Sequence, residues 1–154
     1  MITLEKAHRV IAAGEAKAKE IGQPMNIAVV DAGTNLKAFI RMDGAWLGSI
    51  DIAINKAFTA KAFDISTKEL GQNSQPGDQF FGINVSNHNR VMIFAGGIPL
   101  TVGGQIVGAV GVSGGSGEQD QAVAEAAAAV CRRANPGPRR ALQVERQFGD
   151  RHCS

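Results

Sequence analysis

Gly96–Asp120, GGIPLTVGGQIVGAVGVSGGSGEQD, contains two apolar runs, a glycine pair between them, and a glycine–serine loop that leads into a helix start. Gly103-Gly104 separates Ile98–Val102 from Gln105–Val112, and two adjacent residues that accept positive φ make a two-residue hairpin turn. In the second run Ile106, Gly108, Val110 and Val112 share one face, while Val107, Ala109 and Gly111 share the other. Neither face is polar, which predicts a central strand covered on at least one side. The glycines keep the sheet surface low, so a helix or a ligand can approach its backbone closely.

The loop after this strand has two readings. Ser116 and Gln119 stand at capping-box spacing, with the hydroxyl taking an orphan N–H and the amide reaching back. Gly114 and Gly115 would also let bare N–H groups cradle a phosphate, but Glu118 and Asp120 already compete for the positive helix end.

Towards the N-terminus, Thr3 is a plausible N-cap, and Leu4, Ala7, Ile11, Gly14, Ala18 and Ile21 recur at helical spacing until Gly22 and Pro24. His8 flanks that stripe, as a surface group or a ligand. Asn26–Asp31 and Leu36–Met42 read as strands joined by the turn residues Ala32–Asn35. The second strand ends in Arg41-Met42-Asp43-Gly44. There Arg41 and Asp43 either face a ligand or stay solvated, with Asp43 closing the turn.

Leu47–Phe63 has helical periodicity, with Ser49 near its start as a cap. Ile50, Ala53, Ile54, Ala57 and Ala60 form one stripe; Ile52, Lys56, Thr59 and Phe63 form a second. Lys56 thus sits among apolar and hydroxyl neighbours. It either snorkels or points into a cavity, where it can hold a carboxylate or act as acid, base or nucleophile. Thr67–Asn89 is polar and turn-rich, the profile of a long connection. It is either a lid, with Phe80 and Phe81 over a pocket and His88 reaching in, or a surface loop anchored by two aromatic residues. Arg90–Ala95 reads as a short strand, and Glu118–Arg133 as a helix with Val123, Ala127 and Val130 on its inner line. Asn135-Pro-Gly-Pro ends that helix, and Arg139–Phe148 reads as one more short helix. Two hairpins with few alternating βα units give an α/β chain of the α+β type, an antiparallel sheet flanked by helices.

The chain has 154 residues, 44% hydrophobic and 19% charged, enough for one domain that buries about two-thirds of its unfolded surface. A formal charge of +2 is too small to argue for nucleic acid, and Arg132, Arg133, Arg139, Arg140, Arg146 and Arg151 gather much of the positive charge in a tail or subunit contact. No run approaches a membrane span and the N-terminus is not a leader, so the expectation is a cytoplasmic protein. Cys131 and Cys153 have no zinc spacing and are read as thiols; no metal site is expected.

IAVVDAG (Ile27–Gly33), RMDGA (Arg41–Ala45), SIDIAINKAFTA (Ser49–Ala60), GGIPL (Gly96–Leu100) and VGAVGVSGGSGEQD (Val107–Asp120) resemble the GlcG/HbpS family, which includes the C-terminal domain of PduO. The resemblance covers about residues 2 to 134, leaving 135–154 as a basic extension. It implies a profilin-like fold with a roughly five-stranded antiparallel sheet, and homo-oligomers of dimers or larger. In several members it implies haem or tetrapyrrole binding, and in others an accessory place in a catabolic operon. Many members have Gly-Gly-His after the first aspartate, where this chain has Gly33-Thr34-Asn35. There is no tyrosine either, so His8, His88, Met42 or a tail thiol would have to ligate iron, and the sequence identifies no axial ligand.

Three functions follow. A tetrapyrrole-binding accessory protein would use an apolar slot lined by Phe80, Phe81 and the glycine-faced sheet. An enzyme would use Lys56 with Asp43, Glu118 or Asp120 on a small anionic intermediate, the cation holding a carboxylate and the acid moving a proton. A structural oligomer would need no pocket. For the first two, the ligand-contacting candidates are Arg41, Lys56, Thr59, Phe80, Phe81, His88, Gly114, Gly115 and Glu118.

Overall fold

A computed structural model describes residues 1–133, with the side chain of Arg133 excepted. The Asn135 stop, the Arg139–Phe148 helix, Cys153 and the whole 135–154 basic extension lie outside the described residues. The elements run α1 (Leu4–Ile21), β1 (Asn26–Asp31), β2 (Leu36–Arg41), α2 (Gly48–Phe63), α3 (Thr67–Gln72), a 3-10 turn (Ile83–Val85), the four-residue turn α4 (Ser86–Asn89), β3 (Gly97–Val102), β4 (Gln105–Ser113) and α5 (Gly117–Arg133). All strand pairs are antiparallel, in the order β2-β1-β4-β3.

Local chemistry sets the element ends. Thr3 Oγ1 accepts from Lys6 N–H at 3.1 Å, and Gly22 closes α1 in the left-handed region at φ 72°. The β3–β4 hairpin turns on Gly103 and Gly104, at φ 59° and 80°, with Val102 opposite Gln105. The capping box forms in both directions: Gln119 N–H donates to Ser116 Oγ at 3.2 Å, and Ser116 N–H to Gln119 Oε1 at 2.9 Å. Ser116→Ala should cost about 1 kcal/mol in urea unfolding, and an unchanged midpoint would show that the cap contributes nothing.

The sheet lies between two helical layers. On one side α1 and α5 pack together, with Val10, Ile11, Val123 and Ala127 meeting Ile27, Val29, Val110 and Val112. Gly14 lets the helices approach, since a Cβ there would lie 3.3 Å from Ala127 Cβ. On the other side α2 alone covers Ala28, Val30 and Ala109 with Ala53, Ala57 and Ala60.

Among the described residues the sheet has four strands rather than about five. The strand expected at Arg90–Ala95 is irregular because its backbone is engaged elsewhere. Met92 N–H donates to Thr59 Oγ1 on α2 at 2.9 Å, which holds the segment along the helix instead of at a sheet edge. Ser49 does not cap α2. It is buried and accepts from Ser113 Oγ at 3.1 Å, while Leu47 occupies the cap position without a side-chain bond. The Thr67–Asn89 connection is also less bare than expected. Ser66 caps α3 through Glu69 N–H at 3.1 Å.

Candidate functional site

The largest fully buried side chain is a lysine. Lys56 projects from α2 and its residue is 0% exposed, while Asp120, in the first turn of α5, is 2% exposed. Lys56 Nζ donates to Asp120 Oδ2 and to the Val112 carbonyl, each at 2.9 Å, and lies 4.6 Å from the centroid of Phe94. Asp120 Oδ1 accepts from Gly115 N–H at 2.9 Å. One ammonium thus finds a carboxylate, a carbonyl and a π-face, and the carboxylate is met from the glycine loop.

Burial pushes Lys56 below the usual lysine value, against the pull of the Asp120 charge and hydrogen bond. Burial likewise pushes Asp120 above the usual aspartate value, opposed by Lys56 and by hydrogen bonds from the Gly115 and Gly114 backbone. The two groups are thereby brought towards sharing a proton. They also tie α2 to α5 through the end of β4.

The glycine-faced patch is not open space. A Cβ on Gly111 would collide with the Ala53 carbonyl oxygen, and one on Gly97 would lie 2.5 Å from the Lys56 carbonyl oxygen. The slot expected over the glycine-faced sheet is therefore filled by the backbone of α2, the helix alternative having won over the ligand. Lys56 does not snorkel; it is enclosed.

Other candidates fall elsewhere. Gly114 is buried, Gly115 half-buried and Glu118 exposed; Glu118 lines a cleft of about 440 Å³ with Lys68, Ala95, Gly117, Gln121 and Glu125. Asp43 is exposed and lines a separate cleft of about 390 Å³ with Glu15, Lys19, Gln23 and the half-buried Met42, so it does not join Lys56 and Asp120. The turn containing Asp43 is closed by backbone, Ala45 N–H to the Met42 carbonyl at 3.0 Å. Arg41 is exposed at the end of β2. Thr59 is buried, and its hydroxyl is occupied by the Asn55 carbonyl at 2.7 Å and by Met92 N–H. Phe80 and Phe81 are 44% and 67% exposed, and the His88 side chain is exposed in a left-handed turn with Asn87 and Asn89. Cys131 is free and buried, and burial pushes its thiol up. Among the described residues no group of three or more His, Cys, Asp or Glu is placed to hold a metal, and no helix is long and apolar enough to cross a membrane.

Sequence reasoning missed Phe94, which covers Lys56, and Arg90, whose guanidinium stacks 3.9 Å from the Phe58 centroid. The available signal was Asp51, Asn55 and Phe58 at helical spacing on one flank of α2, a polar–aromatic face suited to hold a cation.

The class is an α+β domain, a helix-flanked antiparallel sheet with a buried lysine–aspartate tie. More specifically, the chain belongs to the GlcG/HbpS family: the profile described as "Haem degrading protein HbpS-like" matches residues 2–129. It is 45% identical over 126 residues to a 15.0 kDa protein from the dhaT–dhaS intergenic region of Citrobacter freundii, covering 82% of this chain and 89% of that one. It is 36% identical over 128 residues to the corrinoid adenosyltransferase PduO of the same organism, covering 83% of this chain and only 38% of that longer protein. Among solved structures, the PduOC:heme complex superposes with a TM-score of 0.80 at 33% identity, covering 84% of this chain and 94% of that one.

Proposed function

We propose that this chain is a small-molecule-binding accessory protein whose ligand is a tetrapyrrole, haem foremost, held on the segment between α3 and β3 and enclosed by a second copy of the chain. The carrying observation is the likeness to PduOC, whose solved structure is a haem complex. The residues present suit such a ligand. Phe80, Phe81 and Phe94 leave between 44% and 67% of their surface exposed, and each exposed aromatic face can stack on a flat ring. His88 puts an exposed imidazole in the same segment, one of the donors that ligate haem iron. The hollow along this segment is about 220 Å³, too small to enclose a tetrapyrrole by itself, which is the reason for the second copy.

Bound haem would supply redox-active iron. The chain's own residues position it: Lys56 and Asp120 do not touch the ligand but hold Phe94 and the Gly114–Gly115 loop. Lys56→Ala therefore acts on folding before it acts on binding, unlike the case of an enzyme with Lys56 at its centre.

Haemin titration tests the reading. The expected result is a saturable, shifted Soret band that changes position in His88→Ala and weakens about tenfold in affinity when Phe80 and Phe81 are both changed to Ala. A spectrum matching free haemin at every ratio overturns it.

A further inference from the structure

Arg90 is fixed more firmly than a solvated cation requires. Its Nε donates to Asn55 Oδ1 at 3.1 Å, and its face lies on Phe58. Asn55 is 7% exposed and is itself turned by Asp51, whose Oδ2 accepts from Asn55 Nδ2 at 2.9 Å. Thr59 Oγ1 holds the adjoining main chain, 3.3 Å from the Arg90 carbonyl and 2.9 Å from Met92 N–H. Four side chains thus orient one guanidinium, yet no carboxylate pairs with it among the described residues.

The surroundings point to a ligand. The chain neighbours of Arg90, Asn89 and Val91, line the 220 Å³ hollow with Asn84, Met92, Ile93 and Phe94, while Arg90 itself is not among the lining residues. Asn87, His88 and Asn89 lead into it at φ 53°, 57° and 62°, a left-handed run that costs roughly 1–2 kcal/mol per residue and belongs to a class of strain that clusters at binding sites. With Nε occupied and the face stacked, the terminal nitrogens present a planar pair of donors, the geometry that matches a carboxylate.

We infer that Arg90 binds a carboxylate, either of a small organic acid whose apolar body enters the Val91–Phe94 hollow or of a tetrapyrrole propionate; the second source rests on the function proposed above. Asn55 is the positioning residue that keeps the fork in place.

Two arms separate the sources. Sodium benzoate titrated into nitrogen-15-labelled protein should shift the amides of residues 89–94 in the wild type and not in Arg90→Ala, with neutral benzamide inert at the same concentrations and Asn55→Ala intermediate. Haemin and its dimethyl ester are then compared in both proteins: an about tenfold preference for the free diacid that vanishes in Arg90→Ala assigns the propionate. If neither the benzoate shifts nor the diacid preference depends on Arg90, the inference is overturned. If haemin fails to bind the wild type while benzoate still depends on Arg90, the tetrapyrrole reading falls and the carboxylate site stands.

Discussion

Lys56→Met will lose about 3–5 kcal/mol of folding stability. The substitution keeps most of the side-chain volume, so the loss comes from what remains: Asp120, 2% exposed, with its Oδ2 deprived of the ammonium it meets at 2.9 Å. An isolated buried carboxylate has to take a proton or draw in water, and either route opens the joint between α2 and α5. Replacing both members, Lys56→Met with Asp120→Leu, should recover most of the loss, because apolar groups of similar volume do not incur the desolvation of a buried pair. Urea unfolding of the three proteins is the measurement. A single variant within about 1 kcal/mol of wild type would mean that the pair is solvated and weak.

Gly111→Ala should be at least as damaging per atom added. A methyl group there would strike the Ala53 carbonyl oxygen and lie 2.5 Å from Ala57 N and 3.0 Å from Ala57 Cβ. The obstruction is helix backbone, so no rotamer change relieves it and α2 must lift from the sheet. Overpacking costs about 1–3 kcal/mol where side chains can adjust; about 3 kcal/mol or more is expected where they cannot. Gly48→Ala, at the start of the same helix with nothing within 4 Å of the added Cβ, is the control and should stay within about 1 kcal/mol of wild type. Equal effects from the two alanines would refute the tight seating of α2.

These two sites show what was legible in the sequence. The Thr3 and Ser116 caps, the Gly103-Gly104 turn and the two hairpins were readable because each depends on residues within a few positions of one another, as Ser116 and Gln119 do. Ser49, expected to cap α2, bonds Ser113 across the core instead. Strand β4 was recognisable as central from its two apolar faces, and it lies between β1 and β3. The pairing of Lys56 with Asp120 spans 64 positions. Periodicity could place the lysine on an apolar helix face, but not its partner on another helix. The glycines announced a close approach without naming what approaches, and helix backbone fills the space. Arg90–Ala95 looked like a strand by composition; the Thr59 hydroxyl captured its backbone, a tertiary bond that no local propensity records. The same blindness hid Arg90, whose orientation depends on Asn55 35 positions earlier.

With α2 filling the glycine floor and Lys56 sealed behind Phe94, the site proposed above lies on the outer surface of the segment between α3 and β3. Amide resonances recorded with and without ferric haem test that location directly, since the paramagnetic iron broadens what lies near it. The account predicts broadening concentrated on residues 80–94, with α1 and the Met42–Asp43 turn unaffected. Broadening centred instead on the cleft between Lys19, Gln23 and Asp43 would contradict it.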